Sequence, residues 1–195
     1  MRSETYKQAM EAFRRGDADL LQSLIDPVIE ADSSSPESLG LRYLRGSAYE
    51  WGKYPGGADL NKALVDYRTL ESWAPTIGSE VLVAAGRILF DMNERGNADE
   101  IERLCIRAIE LDRSVHAKML LGLLYEKVRM DSVSARKWYL SAYLGGLPWG
   151  LRYFARSHAK QGDRVRSMLA HIAATVTSPI LVLMNGARGP FSDSV

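Results

Sequence analysis

Apolar residues recur three and four positions apart along almost the whole chain, and no segment alternates strictly between apolar and polar residues. A spacing of three and four places apolar side chains on one face of a helix, whereas a half-buried strand requires alternation. Glycine, proline and capping residues interrupt the pattern, as in Arg15-Gly16-Asp17, Tyr54-Pro55-Gly56-Gly57 and Gln161-Gly162-Asp163. The sequence therefore predicts ten helices of about 11 to 18 residues, arranged as five antiparallel pairs with short turns.

Composition narrows the class of protein further. The 195 residues are 46% hydrophobic and 25% charged, which excludes a disordered tail, a collagen-like fibre and a disulfide scaffold. The one cysteine, Cys105, cannot form an intramolecular disulfide, and the first residues are polar rather than an apolar export signal. No apolar run approaches the roughly 18 residues of a membrane span. We therefore expect a cytoplasmic protein in a reducing compartment, with no membrane partner.

Charge is distributed unevenly along the chain. Residues 1–100 contain 11 Lys/Arg and 17 Asp/Glu, whereas residues 101–195 contain 14 and 7. The basic half is suited to an acidic partner surface, and copies of the chain could also associate acidic end to basic end. The alternative is that solvated helix faces differ in composition without functional consequence.

Two of the predicted helix pairs are similar to each other. In each pair a glycine is followed three residues later by a tyrosine, and the second helix then carries Asp, Ala and Tyr at intervals of four. The residues are Gly46, Tyr49, Asp59, Ala63 and Tyr67 in one pair, and Gly122, Tyr125, Asp131, Ala135 and Tyr139 in the other. The equivalent second-helix positions in the other pairs are Leu21, Ile101 and Ser167, so successive intervals are 42, 38, 34 and 32 residues. A period in the thirties indicates stacked helical hairpins, in which small residues at the crossing let two helices approach while the tyrosine ring fills the wider end.

This pattern resembles the Sel-one-like repeat, a relative of the tetratricopeptide repeat. The resemblance is specific in the second and fourth pairs and looser in the others, and Pro75 and Pro179 fall where such units usually close their second helix. The fourth pair departs from it at Val128-Arg129-Met130, where the family tends to have glycines, and at Ser134. The resemblance implies an all-α fold, a right-handed alpha-alpha superhelix (alpha-solenoid) of about five hairpins. It also implies a protein-interaction scaffold and no reaction.

The predicted domain organisation follows the punctuation of the chain. We expect a single helical-repeat domain over residues 1–186 and a flexible tail over 187–195. Its units are predicted at residues 2–33, 36–75, 76–113, 114–147 and 148–179, followed by a C-terminal cap at 180–186. The apolar run 180–184 is predicted to cap the last hairpin, and the alternative is that it forms a self-association surface.

In stacked hairpins the first helices line a concave groove, which is the predicted binding site for a protein or peptide. A partner that carries acidic residues would suit the basic C-terminal end of this groove. Aromatic and arginine side chains dominate interface energetics, so the site is expected to include them. The predicted groove residues are Tyr43, Trp51, Arg87, Phe90, Met119, Leu123, Lys127, Trp149, Arg152 and Arg156. Ser47, Glu50, Glu126 and Lys160 are placed on the same face. For Tyr43 and Phe90 the alternative is packing between hairpins.

No pattern in the chain predicts catalysis. The three histidines, His116, His158 and His171, lack metal-ligand spacing, and the glycines near Gly56 lack the lysine of a phosphate-binding loop. We expect no enzyme activity, no cofactor and no metal. The leading interpretation is a non-catalytic adaptor. A self-associating structural protein and a nucleic-acid contact through the basic C-terminal half are the alternatives.

Overall fold

A computed structural model describes the backbone of residues 3–184 and the side chains of residues 3–175. The helices are α1 (Glu4–Arg15), α2 (Ala18–Ala31), α3 (Pro36–Glu50), α4 (Leu60–Leu70), α5 (Ala74–Ile77), α6 (Glu80–Asn93), α7 (Ala98–Asp112), α8 (Val115–Lys127), α9 (Ser132–Leu144), α10 (Trp149–Lys160) and α11 (Arg164–Met184). No strand occurs in this part of the chain. The all-α class and the organisation in helical hairpins are confirmed.

Two compact units make up the chain, one ending at Asn93 and one beginning at Glu94. In the first unit α1 packs on α2, α2 on α3, α3 on α4 and α4 on α6. In the second unit α7 packs on α8, α8 on α9, α9 on α10 and α10 on α11. The division between the units falls in the turn between α6 and α7, which lies within the predicted repeat 76–113.

Side-chain caps begin most of the long helices, as the capping residues between the predicted helices indicate. Asp59 accepts a hydrogen bond from the Lys62 amide at 3.0 Å, and Asp131 accepts from the Val133 and Ser134 amides at 3.0 Å. These bonds satisfy amides that have no partner within the helix. Gly16 ends α1 at a φ of 74°, a left-handed conformation that glycine adopts without steric cost.

Prolines do not end helices where the repeat pattern suggests. After α4 the chain forms a 3₁₀ turn over Glu71–Trp73. Pro75 is the second residue of the short α5, where its missing amide costs no helical hydrogen bond. At the other end α11 continues through Pro179 to Met184, so the predicted boundary at residue 179 falls inside a helix. The predicted tail 187–195 lies outside the described residues, as do the side chains of the predicted cap. None of the described helices is long and apolar enough to cross a membrane.

The first unit has a core with a buried ionic network beside it. The core cluster contains Ala9, Ala12, Phe13, Leu21, Ile25, Ile29, Leu41, Leu44, Ala48 and Tyr54. Next to it, Arg45 of α3 donates to the buried Asp66 at 2.8 and 2.9 Å and to Asp26 at 3.0 Å. Burial opposes the charge on Asp26, but hydrogen bonds from Tyr54, Arg45 and Gln22 outweigh it and lower the pKa of this carboxyl.

Candidate partner-binding surface

A glycine of the first helix meets a tyrosine of the second helix in two hairpins. A Cβ added at Gly46 of α3 would lie 2.8 Å from Cε1 of Tyr67, and one added at Gly122 of α8 would lie 2.3 Å from Cε1 of Tyr139. Both tyrosine rings are buried, as is the alanine one turn before each of them. This is the close helix crossing that the repeated glycine, alanine and tyrosine pattern predicts.

In the first unit the hydroxyl of Tyr67 is hydrogen-bonded to a glutamate that also forms an ion pair. The hydroxyl donates to the Glu50 carboxylate at 3.2 Å and lies 3.1 Å from Oγ of Ser47. Nη2 of Arg87, from α6, lies 2.6 and 2.8 Å from the two oxygens of Glu50. Glu50 is therefore held between a second helix and the first helix of the following hairpin.

The second unit repeats this arrangement with different residues. Tyr139 donates its hydroxyl hydrogen to Glu126 at 2.7 Å, and Lys160 of α10 donates to the other carboxylate oxygen at 2.7 Å. The Glu126 side chain is only 9% exposed. Burial opposes its charge, but the hydrogen bonds from Lys160 and Tyr139 and the positive charges of Lys160 and Arg156 outweigh it and lower the pKa of Glu126.

Sequence reasoning places Glu50, Glu126, Arg87 and Lys160 on one face but does not predict that they pair. One signal was available, because each glutamate follows the crossing glycine by four residues in both hairpins. Four residues is about one helical turn, so each glutamate lies on the same face of the first helix as the crossing glycine. Its carboxylate is therefore close to the hydroxyl of the tyrosine that packs against that glycine. We refer to Tyr67, Glu50 and Arg87, and to Tyr139, Glu126 and Lys160, as the two Tyr-Glu-cation sets.

The predicted site residues of the first unit differ in accessibility. Trp51 is exposed at the C-terminal end of α3, and Arg87 is partly covered by its ion pair with Glu50. Tyr43 is half-buried, with its ring 5.6 Å from that of Tyr67, and burial raises the pKa of its hydroxyl to about 12. Phe90 is buried. Its burial is compatible with the alternative that it packs against neighbouring helices.

The predicted residues of the second unit form a more accessible set. Met119 and Leu123 of α8 are half-buried, and Lys127 ends that helix in an exposed position. On α10, Trp149 is 55% exposed, and the Arg152 guanidinium lies 4.6 Å from the centre of the Trp149 ring. A guanidinium stacked on a ring in this way keeps its N–H groups available to bind a carboxylate.

A second stacked pair follows one turn later on α10. The Arg156 guanidinium lies 5.9 Å from the centre of the Tyr153 ring, which in turn lies 5.4 Å from the buried ring of Tyr139. Arg152 and Arg156 are both exposed, and neither forms an ion pair with a carboxylate of the described chain. Trp149, Arg152 and Arg156 therefore present one aromatic ring and two available cations on successive turns of one helix.

Other basic residues of the C-terminal half are already engaged. Arg129 of the α8–α9 turn pairs with Asp99 and Glu102 of α7, and the Tyr125 hydroxyl donates to Glu102 at 2.6 Å. Arg136 of α9 donates to Gln161, and Lys160 pairs with Glu126. A carboxylate partner reduces what a cation can contribute to phosphate binding, so the basic surface is smaller than the charge count predicts.

Burial removes the one candidate nucleophile from reach. Cys105 of α7 is fully buried, and burial raises the pKa of its thiol to about 12. A thiol with so high a pKa is protonated at neutral pH and does not act as a nucleophile. Within the described side chains, no three His, Cys, Asp or Glu residues are grouped so that they could hold a metal ion.

Comparison with known proteins identifies the fold through structure rather than through sequence. No family model matches the sequence, and no curated protein sequence is similar to it. A crystal structure of MamA is 18% identical with a TM-score of 0.69, and the match covers 88% of this chain and 94% of that one. A second crystal structure of MamA protein is 17% identical with a TM-score of 0.65, and the match covers 98% of each chain. The chain therefore has a tetratricopeptide-like helical-repeat fold.

Proposed function

We propose that this protein is a non-catalytic adaptor that binds an acidic peptide or protein segment along the first helices of its hairpins. The observation that carries the proposal is the exposed series Trp149, Arg152 and Arg156 on α10. A stacked arginine is held in place before binding, so less conformational entropy is lost when it meets a carboxylate. Tryptophan and arginine are also the residues that most often dominate binding energy.

The half-buried apolar side chains of α8 would complete this surface. Met119 and Leu123 can contact apolar residues of the bound segment, while Lys127 adds a third cation near them. In the first unit Trp51 and Tyr43 offer aromatic surface. Arg87 contributes less there, because its guanidinium is shared with Glu50. We expect most of the binding energy to come from the second unit.

A charge-reversal variant tests this proposal. Arg152→Glu with Arg156→Glu reverses both available cations and replaces no member of a Tyr-Glu-cation set. Because the charge of Arg156 also acts on Glu126, the variant is first checked for a wild-type helical melting curve. The matched control is Lys7→Glu with Arg15→Glu, which reverses two exposed cations of α1. Proteins captured by each form would be identified, and the affinity of the captured segment would then be measured with purified protein at low and moderate salt.

We expect the control to retain the partner and the α10 variant to lose it. Two new repulsive contacts in place of two attractive ones should weaken binding by more than a factor of about 100. The proposal fails if the folded α10 variant binds the same partner with unchanged affinity. A very steep loss of affinity with salt, together with binding of unrelated oligonucleotides, would favour the nucleic-acid alternative instead.

Self-association is the second candidate, and the unequal charge of the two halves favours it. An acidic first half and a basic second half can attract each other between copies, which generates a head-to-tail contact. Light scattering of the eluted protein at low and high salt tests this idea. A mass that increases with concentration and falls to that of a monomer at high salt would support assembly as the function.

We also propose that the second and fourth hairpins are Sel-one-like repeats. The glycine and tyrosine crossings at Gly46 and Gly122 support this assignment, because they use the positions at which the resemblance is most specific. We further propose that the protein works in the reducing cytoplasm, where the buried Cys105 thiol would remain unoxidised.

A further inference from the structure

α11, the last helix of the described residues, has an apolar side that faces solvent. α11 packs on α10 through Ala170 and Ala174, next to the buried Ser167. At 3.6 residues per turn, the side opposite to this packed side consists of Val165, Met168, Leu169 and Ile172. These four side chains are 54% to 66% exposed. The solvent-facing side of a helix ordinarily carries polar residues.

The second helix of the preceding hairpin has the same property. α9 buries Ala135, Tyr139 and Ala142 on its packed side. Its opposite side carries the exposed apolar residues Val133, Leu140 and Leu144. We call these three residues, together with Val165, Met168, Leu169 and Ile172, the outward apolar face. Side chains this exposed stand out from their helices and do not line a cavity.

The corresponding helix of the first unit is different. α4 exposes Val65 alone among polar residues, which are Asn61, Lys62, Arg68 and Thr69. An isolated exposed apolar residue is normal on a protein surface, whereas a set of seven on two helices that both pack on α10 indicates an interaction surface. The outward apolar face is therefore a local feature of the second unit and not a general property of the repeats.

The charge around this face is of one sign. From Ser132 to Met184 the chain has one carboxylate, Asp163, and seven Lys or Arg residues. Asp163 is already engaged, because it accepts from the Arg166 amide at 3.1 Å and lies 3.4 Å from Nε of the Arg166 guanidinium. Lys137 and Arg164 are exposed on the same two helices as the apolar side chains, whereas the charge of Arg166 is partly balanced by Asp163. A surface complementary to this region is both apolar and negatively charged.

We propose that the outward apolar face binds the surface of a membrane that contains anionic lipids. The apolar side chains would enter the boundary between headgroups and acyl chains, while Lys137 and Arg164 would contact lipid phosphates. The helices would lie on the membrane and not cross it. A second copy of this chain fits less well, because symmetric pairing of the two faces would bring like charges together. This proposal departs from the sequence-based expectation of no membrane partner. That expectation rests on the absence of a spanning segment, which does not bear on binding at the membrane surface.

Vesicle flotation with the full-length protein tests this inference. The two lipid mixtures are phosphatidylcholine alone and phosphatidylcholine with one-third phosphatidylserine. Leu169→Ser with Ile172→Ser removes the centre of the apolar face on α11, and Val65→Ser is the matched control at an equally exposed position of the first unit. Lys137→Gln with Arg164→Gln removes two cations, with Lys7→Gln and Arg15→Gln as the corresponding control.

We expect the wild-type protein and both controls to float with the anionic vesicles and not with neutral ones. The apolar variant should bind at least about tenfold more weakly, and each lost cation should reduce affinity about fivefold. All forms should give the same helical melting curve, because the substituted residues are exposed. The inference is overturned if wild-type protein does not bind anionic vesicles, or if the variants bind as well as their controls. It is also overturned if the serine variant changes only the oligomeric mass, which would assign the face to a second copy.

Discussion

Tyr139 on α9 donates a hydrogen bond of 2.7 Å to the carboxylate of Glu126 on α8. The ring of the same tyrosine occupies the space that the missing side chain of Gly122 leaves. One residue therefore fills the crossing of two helices with its ring and donates a hydrogen bond to a nearly buried carboxylate with its hydroxyl. Tyr67 and Glu50 do the same in the first unit.

The glycine at the crossing is open to a direct test. In Gly122→Ala the new Cβ would lie 2.3 Å from the Tyr139 ring, which is itself enclosed by other helices. Alanine is the better helix former by about 0.5 to 1 kcal/mol, but overpacking costs about 1 to 3 kcal/mol, so we expect a net loss of about 1 to 2 kcal/mol. Urea unfolding followed by circular dichroism measures it.

Gly40→Ala serves as the control for this substitution. Its new Cβ would lie 3.2 Å from the edge of the Tyr6 ring, a distance that a small movement of the ring accommodates. We expect this variant to be as stable as wild type or slightly more stable. Equal stability changes in the two variants would argue against a steric role for Gly122.

Removing the Tyr139 hydroxyl separates the contribution of its hydrogen bond from that of its ring packing. Tyr139→Phe keeps the ring at the crossing but leaves Glu126 with Lys160 as its remaining partner. Hydrogen bonds to charged groups contribute about 1.5 to 3 kcal/mol, and Lys160 compensates in part, so we expect a loss of about 1 to 2 kcal/mol. Tyr153→Phe is the control, and a similar loss in both variants would contradict this assignment.

Acid should weaken the fold through Glu126 and Asp26. The pKa of each carboxyl is lower in the folded protein than its ordinary value, which is 4.5 for Glu126. Each group therefore stabilises the folded state above its ordinary pKa, and this contribution is lost as pH falls through the lower, folded-state pKa. Urea midpoints measured from neutral pH to about pH 3 should fall, and they should fall less steeply in Glu126→Gln than in the exposed control Glu30→Gln.

The buried thiol predicts slow chemical modification. Cys105 is fully buried, and burial raises the pKa of its thiol to about 12. Ellman's reagent should therefore react with the native protein only as fast as the second unit opens, and at once in denaturant. Rapid reaction of the folded protein would show that α7 is less well packed than the structure indicates.

The periodic residues explain why so much of the fold is predictable. Each long helix buries one stripe of apolar side chains, and the capping residues Asp59 and Asp131 act within three positions of themselves. Such local rules predict the hairpins and the Gly122–Tyr139 crossing. They do not predict α5 or the continuation of α11 through Pro179, because a proline only disfavours a helical position and tertiary packing decides the outcome.

The site is less predictable because its contacts are long in sequence. Arg87 lies 37 residues after Glu50, and Lys160 lies 34 residues after Glu126, so their pairing depends on how one hairpin packs on the next. Phe90 is one turn from Arg87 but is buried, which helical spacing alone cannot distinguish from an accessible position. The exposed series Trp149, Arg152 and Arg156 could be predicted from the sequence because all three residues belong to one helix.

The two Tyr-Glu-cation sets restrict which hairpin can follow which along the chain. Glu50 receives its cation from α6 and Glu126 from α10, in each case the first helix of the following hairpin. Duplicating or deleting a hairpin would leave a nearly buried glutamate without a counter-charge unless the new neighbour supplied one. A hairpin can therefore replace another during evolution only if its first helix supplies a cation to the glutamate of the hairpin before it. This requirement gives the series of hairpins a direction that apolar stacking alone does not give.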